Sequence, residues 1–420
     1  MYLRLLEIWK KKSLKVLMVS TEYPPMPGGV GRYTFNLTKA LRKIGIEILV
    51  VCNAKGNGDF YGLSPTNKEN SQLLLKLVSE ENPDIIHIQY EVGLYGLTLD
   101  ARNPKNIMTS LDLFYKKNKS VPIVTTFHSN YQQKLSHWLN PTSLIKKDGR
   151  IGKLGIPIRF CVLFWDRIRN YLIFQNLIIE KLTNSNAGIM LCHYMSNLFG
   201  NGHVIYHGAE PSVFPQPSKE KARSFFSLPQ EKKIALAVGF KSSIKDWDIF
   251  KNMNLPNNWI IVMNSSKSHY DTENYDIRWK ENKINRNENT IIDLQKGFLD
   301  DQSLSMLFYA ADVVLLPYKV TSTSGVMFDA LAHGLPFIAT DLKFFKEFSR
   351  QGLGITTKRK AREFSNAIKT LEKNYSSYIE SINNFKTNLK WESVAKQHEL
   401  IYSSVIKKNN KEKFQEIKIK

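Results

Sequence analysis

Residues Ala311-Asp312-Val313-Val314-Leu315-Leu316-Pro317-Tyr318-Lys319-Val320-Thr321-Ser322-Thr323-Ser324-Gly325-Val326-Met327-Phe328-Asp329-Ala330-Leu331-Ala332-His333-Gly334-Leu335-Pro336-Phe337-Ile338-Ala339-Thr340-Asp341 decide the fold class. The apolar run up to Leu316 reads as a buried strand, and a turn of small residues follows it. A helix carrying Asp329 comes next, then a second apolar run. Strand, helix and strand in this order form the repeating unit of a parallel α/β sheet. A small-residue turn at a helix start is also what a phosphate needs. Free backbone N–H groups converge there, and the helix dipole favours negative charge. Asp329, one turn further in, could accept hydrogen bonds from sugar or ribose hydroxyls. Read alone, the segment fits an ordinary strand-to-helix turn equally well.

The same α/β grammar recurs on both sides of this segment. Residues 14–20 form a first strand, and Pro24-Pro25-Met26-Pro27-Gly28-Gly29-Val30-Gly31-Arg32-Tyr33 leads into a helix through Leu41. Gly45 closes that helix, and residues 47–52 form the second strand. The glycine-rich turn lacks the spacing of the dinucleotide fingerprint and is crowded by prolines, which disfavours dehydrogenase chemistry. Further strands are expected at 84–89, 122–128, 187–192 and 203–208, then at 233–240, 259–263 and 290–294. Residues 129–157 read as an exposed loop region and 158–182 as a long helix with Arg159, Arg167, Arg169 and Lys181 on it. That helix fits docking onto a sheet better than lying on a membrane. Residues 363–402 read as helical, and the charged tail 407–420 as frayed.

At 420 residues the chain exceeds what one core usually supports, so two domains are expected. No run of about 20 apolar residues suggests a transmembrane span, and the N-terminus does not read as a signal peptide. Cys52, Cys161 and Cys192 are widely spaced and read as reduced, mostly buried cysteines rather than metal ligands. The expected location is cytoplasmic. A formal charge of +21 asks for an anionic partner. No nucleic-acid-binding motif is visible, which leaves an anionic donor or an anionic membrane surface.

Several segments in order resemble the family 4 retaining glycosyltransferases of GT-B fold. They are the glycine loop 24–33, the strand ends 83–90 and 126–128, the segments 184–186 and 204–214, Gly239 with Lys245, residues 298–326, and Trp391-Glu392 up to Tyr402. The resemblance spans residues 14 to about 403. It implies two Rossmann-like domains facing across a cleft. Residues 14–208 would form the acceptor domain and 209–390 the donor domain. Residues 391–406 would be a terminal helix packing back on the first domain, with an extension at 1–13 and a tail at 407–420.

The implied reaction is metal-independent transfer of a hexose from a nucleotide-diphosphate sugar to an acceptor hydroxyl, with retention. No cofactor is implied. Lys245 and the backbone of Ser324, Gly325 and Val326 would hold the diphosphate. Gly28 and Gly29 would let the first domain approach the donor, and His128, with Thr321 one of the two catalytic candidates, would hold the transferring sugar or the reacting groups. The first member of the family's acidic pair falls on Thr321, a weaker sugar contact than a carboxylate. The second falls on Asp329. The family's arginine after the strand glycine is Phe240 here, and Lys241 beside it could substitute as a point charge. On the acceptor side, Tyr90 and Glu91 lie on one candidate loop, with Glu91 a polar contact, a base or a helix-capping acid. The expected acceptor is a glycan or lipid-linked sugar in surface polysaccharide or glycolipid synthesis, at the cytoplasmic membrane face. A GT-B epimerase and a non-catalytic nucleotide-sugar-binding protein are the alternatives.

Overall fold

The computed structural model describes residues 13–65, 67, 69–96, 109–130, 155–200, 202–240, 243–266 and 291–419. The extension at 1–12, Lys241 and most of the expected acceptor loop (131–154) lie outside the described residues. Among the described residues the strands build two sheets. The first contains β1 (Lys15–Val19), β2 (Glu47–Cys52), β3 (Phe60–Tyr61), β4 (Ile85–Tyr90), β5 (Ile123–Phe127), β6 (Ala187–Met190) and β7 (His203–Val204), in the order β3-β2-β1-β4-β5-β6-β7. The second contains β8 (Lys233–Phe240), β9 (Trp259–Ser266), β10 (Ile291–Asp293), β11 (Val313–Leu316), β12 (Phe337–Thr340) and β13 (Gly354–Thr357), in the order β10-β9-β8-β11-β12-β13.

The pairings are parallel, as in β1 with β4 and β8 with β11. Central strands such as β4, β5 and β11 are buried along their whole length. This is why they read as continuous apolar runs instead of alternating ones. In each sheet the strand order reverses beside its first strand, between β1 and β4 and between β8 and β11. Loops leaving the C-terminal strand ends open a crevice at such a reversal. There the glycine loop after β1 leads into helix Gly29–Lys43, and the small-residue loop after β11 leads into helix Gly325–Ala332.

Several contacts tie the two halves together. The Asn130 N–H donates to Ser322 Oγ at 3.0 Å, and that hydroxyl donates to Asn130 Oδ1 at 2.7 Å. Thr323 Oγ1 donates to the His128 carbonyl. On the far side, the Glu347 carboxylate accepts the N–H groups of His193 and Tyr194. Helix Trp391–Ile419 runs back onto the first half, where Val394, Ala395, Tyr402 and Val405 share a core with Val16, Met18, Leu37 and Leu41. Its Tyr402 hydroxyl lies 2.6 Å from His87 Nδ1 on β4, a pairing buried within that core.

Some expectations need correction. The stretch expected to be helical over 363–402 is split into helices Ala361–Lys373 and Tyr375–Phe385, a 3-10 turn Lys386–Leu389 and the start of the terminal helix. That last helix continues to Ile419, through the tail expected to fray, because the Lys- and Glu-rich sequence favours helix. Only His203–Val204 of the expected strand 203–208 joins the sheet; the rest turns toward the cleft. Cys161 is exposed, while Cys52 and Cys192 are buried as expected. The long helix spans Ile156–Thr183. Near its C-terminal end Leu177 and Ile178 are buried, and the buried Lys181 ammonium pairs with Asp112. Ile158, Phe160 and Trp165 on its first turns are exposed, so docking accounts for one end only. Among the described residues no helix is long and apolar enough to cross a membrane.

Candidate active site

On the first domain, the chain leaving β1 buries Ser20, Thr21 and Glu22. Helix Gly29–Lys43 has no acidic residue in its first turn and no side-chain cap on Gly28. Glu22 supplies both functions from outside the helix. Its Oε2 accepts the N–H groups of Val30 and Gly31 at 3.1 Å each, where the helix dipole favours a carboxylate. A Cβ on Gly28 would stand 2.3 Å from that carboxylate, so the glycine makes room for Glu22. This revises the sequence reading. Gly28 and Gly29 do line the pocket, but two of the helix's free N–H donors already hold the protein's own anion.

On the second domain, β8 reaches Gly239 with φ +126, a backbone that side-chain-bearing residues rarely adopt. The space where a Cβ would sit is taken by Lys245, whose Nζ lies 2.5 Å from that point. The Lys319 N–H donates to the Ile244 carbonyl at 2.7 Å and ties the Lys245 loop to the loop after β11. Among the described residues Lys245 has no carboxylate partner. It stands 5.7 Å from the ring centre of Tyr318 and 5.9 Å from that of Trp247, and burial pulls its pKa down to about 8. A half-buried ammonium with no carboxylate partner among the described residues favours an anion that reaches it.

Next to it, Ser324 caps helix Gly325–Ala332. Its Oγ accepts the Met327 N–H at 3.2 Å, and its carbonyl accepts from Met327 and Phe328. The N–H groups of Gly325 and Val326 donate to no described acceptor and belong to the pocket wall. His207 stacks on Phe328, with ring centres 5.6 Å apart and planes 7° from parallel. Its Nε2 lies 3.5 Å from where a Gly325 side chain would begin, and burial lowers its pKa to about 4. Thr321 also lines the pocket, but its hydroxyl proton is committed to the Thr323 carbonyl, so toward a ligand it can only accept.

Asp329 is 5 % exposed and meets a residue of the opposite domain. Arg32 Nη1 lies 2.7 Å from Asp329 Oδ2, and Arg32 Nε lies 2.6 Å from Asp301 Oδ1. The Asp329 charge, with that of Asp301 behind it, raises the guanidinium pKa above its ordinary value against the cost of burial. The pocket enclosed by both domains has a volume of about 330 Å³. It brings together Gly28, Gly29, Lys245, Thr321, Ser324, Gly325, Val326 and Asp329 from the sequence reading. Phe240, in the place of the expected arginine, stacks with the half-exposed Phe298 at 6.0 Å on the same wall.

His128, Tyr90 and Glu91 do not line this pocket. His128 is buried behind Tyr33, 5.0 Å away edge-on, with Nε2 2.9 Å from Gln89 Oε1. Burial lowers its pKa to about 3, so the ring stays neutral near pH 7. Tyr90 lies wholly in the core, stacked on Tyr95. Glu91 precedes the 3-10 turn Val92–Tyr95 without capping it through its side chain. Burial raises its pKa to about 7, the nearby Glu22 adds to this, and a Ser129 hydrogen bond opposes it. Arg32, Asp301, His207 and Phe298 are pocket residues that the sequence reading did not select. All four lie inside segments that carried the resemblance (Arg32 in 24–33, His207 in 204–214, Phe298 and Asp301 in 298–326), so position in those segments was the available signal. Among the described residues no three His, Cys, Asp or Glu side chains converge to hold a metal ion.

Two family profiles match the chain. "Glycosyltransferase Family 4" matches residues 27–151, which includes the Glu22-capped helix. "Glycosyl transferases group 1" matches residues 280–374, which includes the Ser324 helix and Asp329. No curated protein sequence matches. Among solved structures, sucrose-phosphate synthase from Thermosynechococcus elongatus superposes with a TM-score of 0.65 at 15% identity, over 93% of this chain and 99% of its own. HepE of Anabaena in complex with UDP-glucose gives 0.62 at 15% identity, over 93% and 100%. WaaG, a glycosyltransferase involved in lipopolysaccharide biosynthesis, gives 0.55 at 13% identity, over 91% and 98%. The two profiles together cover just over half of the chain, and the facing parallel sheets agree with these structures. The chain therefore belongs to the GT-B glycosyltransferases, with a Family 4 domain followed by a group 1 domain.

Proposed function

We propose that this glycosyltransferase moves a hexose from a nucleotide-diphosphate sugar to an acceptor hydroxyl with retained anomeric configuration and without a metal. The observation that carries the reading is the Lys245 ammonium, without a carboxylate partner among the described residues, beside the N–H groups of Gly325 and Val326, which donate to no described acceptor. As the bond from the sugar carbon to the diphosphate breaks, negative charge grows on the departing oxygen. A fixed ammonium and a helix N-terminus stabilise that charge without reorganising. Thr321 offers the sugar an acceptor oxygen and Asp329 faces the nucleotide. Retention and metal independence rest on the family resemblance. The UDP-glucose and UDP held in HepE structures support a nucleoside diphosphate as the donor half.

The acceptor in this reading is a glycan or lipid-linked sugar of a surface polysaccharide or glycolipid, reached at the cytoplasmic membrane face. The formal charge of +21 and the exposed Ile158, Phe160 and Trp165 on one helix support it. So does the WaaG likeness, since that enzyme acts in lipopolysaccharide synthesis. Nucleoside diphosphate release from sugar nucleotides, with a chelator and a lipid or glycan extract present, tests the reading. Release that depends on the extract supports transfer. Release that stops with the chelator and returns with a divalent ion overturns metal independence.

A second reading, a nucleotide-sugar-binding protein without turnover, is favoured by Thr321, whose proton is already donated, and by Phe240 in an arginine's place. Tight donor binding with no release under any acceptor condition would select it.

A further inference from the structure

Arg32 belongs to the first-domain helix that follows the glycine loop, yet both of its ion-pair partners belong to the second domain. Nε lies 2.6 Å from Asp301 Oδ1, and Nη1 lies 2.7 Å from Asp329 Oδ2. One guanidinium thus joins two elements of the opposite domain, the start of helix Asp301–Ala310 and the middle of helix Gly325–Ala332. Of the ion pairs between described residues, these two alone join the domains. The other described polar ties across the cleft are hydrogen bonds, among them Asn130 with Ser322 and Thr323 with the His128 carbonyl.

Arg32, Asp301 and Asp329 all line the pocket, so the cleft cannot widen there without pulling the guanidinium from both carboxylates. The Arg32 and Asp301 side chains are 26 % and 44 % exposed, which leaves the pairs open to screening by salt. Neutral hydrogen bonds lack that sensitivity. Two pairs of this kind favour the joined form by roughly 3- to 30-fold together. Resting on the donor reading above, we propose that Arg32 is an ionic latch. Without a ligand it holds the cleft closed through Asp301 and Asp329, and the nucleotide donor enters when the latch opens. The charges that line the pocket thereby regulate access to it.

The test has two arms, both on the full chain. Small-angle X-ray scattering without nucleotide compares low salt with about 1 M salt, where screening is nearly complete. The wild type is expected to be compact at low salt and expanded at high salt, and Arg32→Gln expanded at both. Asp301→Asn releases one of the two contacts and should give intermediate expansion. It also covers the case in which Arg32→Gln does not fold. Stopped-flow mixing with UDP, GDP and ADP then reads entry. For the nucleotide that binds, association with Arg32→Gln is expected to be about 3- to 30-fold faster than with the wild type at low salt, the ratio falling toward one at high salt. Loss of a positive charge by itself slows the approach of an anion, so the latch predicts the opposite sign. Equal scattering of the wild type and both variants at low salt overturns the proposal, as does association no faster with Arg32→Gln. If the wild type binds none of the three nucleotides, the donor reading itself fails. That result is separate from the scattering arm, which judges closure with no nucleotide present.

Discussion

At Lys245 a half-buried ammonium lines the pocket, with rings and glycine backbone around it and no carboxylate partner among the described residues. Burial lowers its pKa to about 8, so the charge is present near neutrality and is lost within reach of ordinary buffers. Bound diphosphate prefers the charged form, and the sign of the pH dependence follows. Nucleoside diphosphate affinity is predicted to be flat below about pH 8 and to fall up to tenfold per unit above it, until the pKa of the complex is passed. A calorimetric pH series checks this, and affinity still flat at pH 9.5 would remove Lys245 from the site. At this scale the sequence was partly legible. Lys245, Ser324 and Gly325 stood in a motif whose chemistry is local. His128, a polar end to an apolar strand, gave the same signal as His207, yet only His207 reaches the pocket. Sequence shows that a strand end is polar but not which ring lies in front of it, and here Tyr33 lies before His128.

Among the elements, the glycine loop shows how one motif changes meaning in its surroundings. Its glycines read as an approach for phosphate, whereas Gly28 clears space for Glu22, whose carboxylate caps the following helix. Gly28→Ala is predicted to cost about 1–3 kcal/mol of stability, the usual penalty for overpacking a filled site. Pairing it with Glu22→Ala should recover most of the packing loss and leave the cost of a lost cap, about 1 kcal/mol. Denaturant unfolding of both variants and their combination measures the coupling. Strictly additive losses would mean that the glycine serves something other than Glu22. The strands were legible because central parallel strands are apolar throughout. The breaks around 374 and 390 and the extra turns beyond 407 were not. Tyr375 after the first break packs on the second-domain core and Trp391 and Val394 after the second on the first-domain core, while the last turns follow the helix propensity of a charged stretch.

The whole molecule rests on contacts between residues far apart in the chain. Arg32 meets Asp329 across 297 positions, and Asn130 meets Ser322 across 192. No periodicity or spacing carries such pairings, which is why two facing domains could be read from the sequence while Arg32 and Asp301 could not. The duplicated strand reversal placed both loops at one crevice, and the terminal helix packs on the first-domain core. What the enclosed pocket holds decides the account. The most direct measurement is the dissociation constant of nucleoside diphosphates for the wild type and for Lys245→Ala, at pH 7 and with equal thermal stability verified. The account predicts selective binding by the wild type and a loss of at least about tenfold in the variant, the scale of one desolvated charge-assisted contact. Equal constants for the two proteins, or no binding by the wild type, would contradict it.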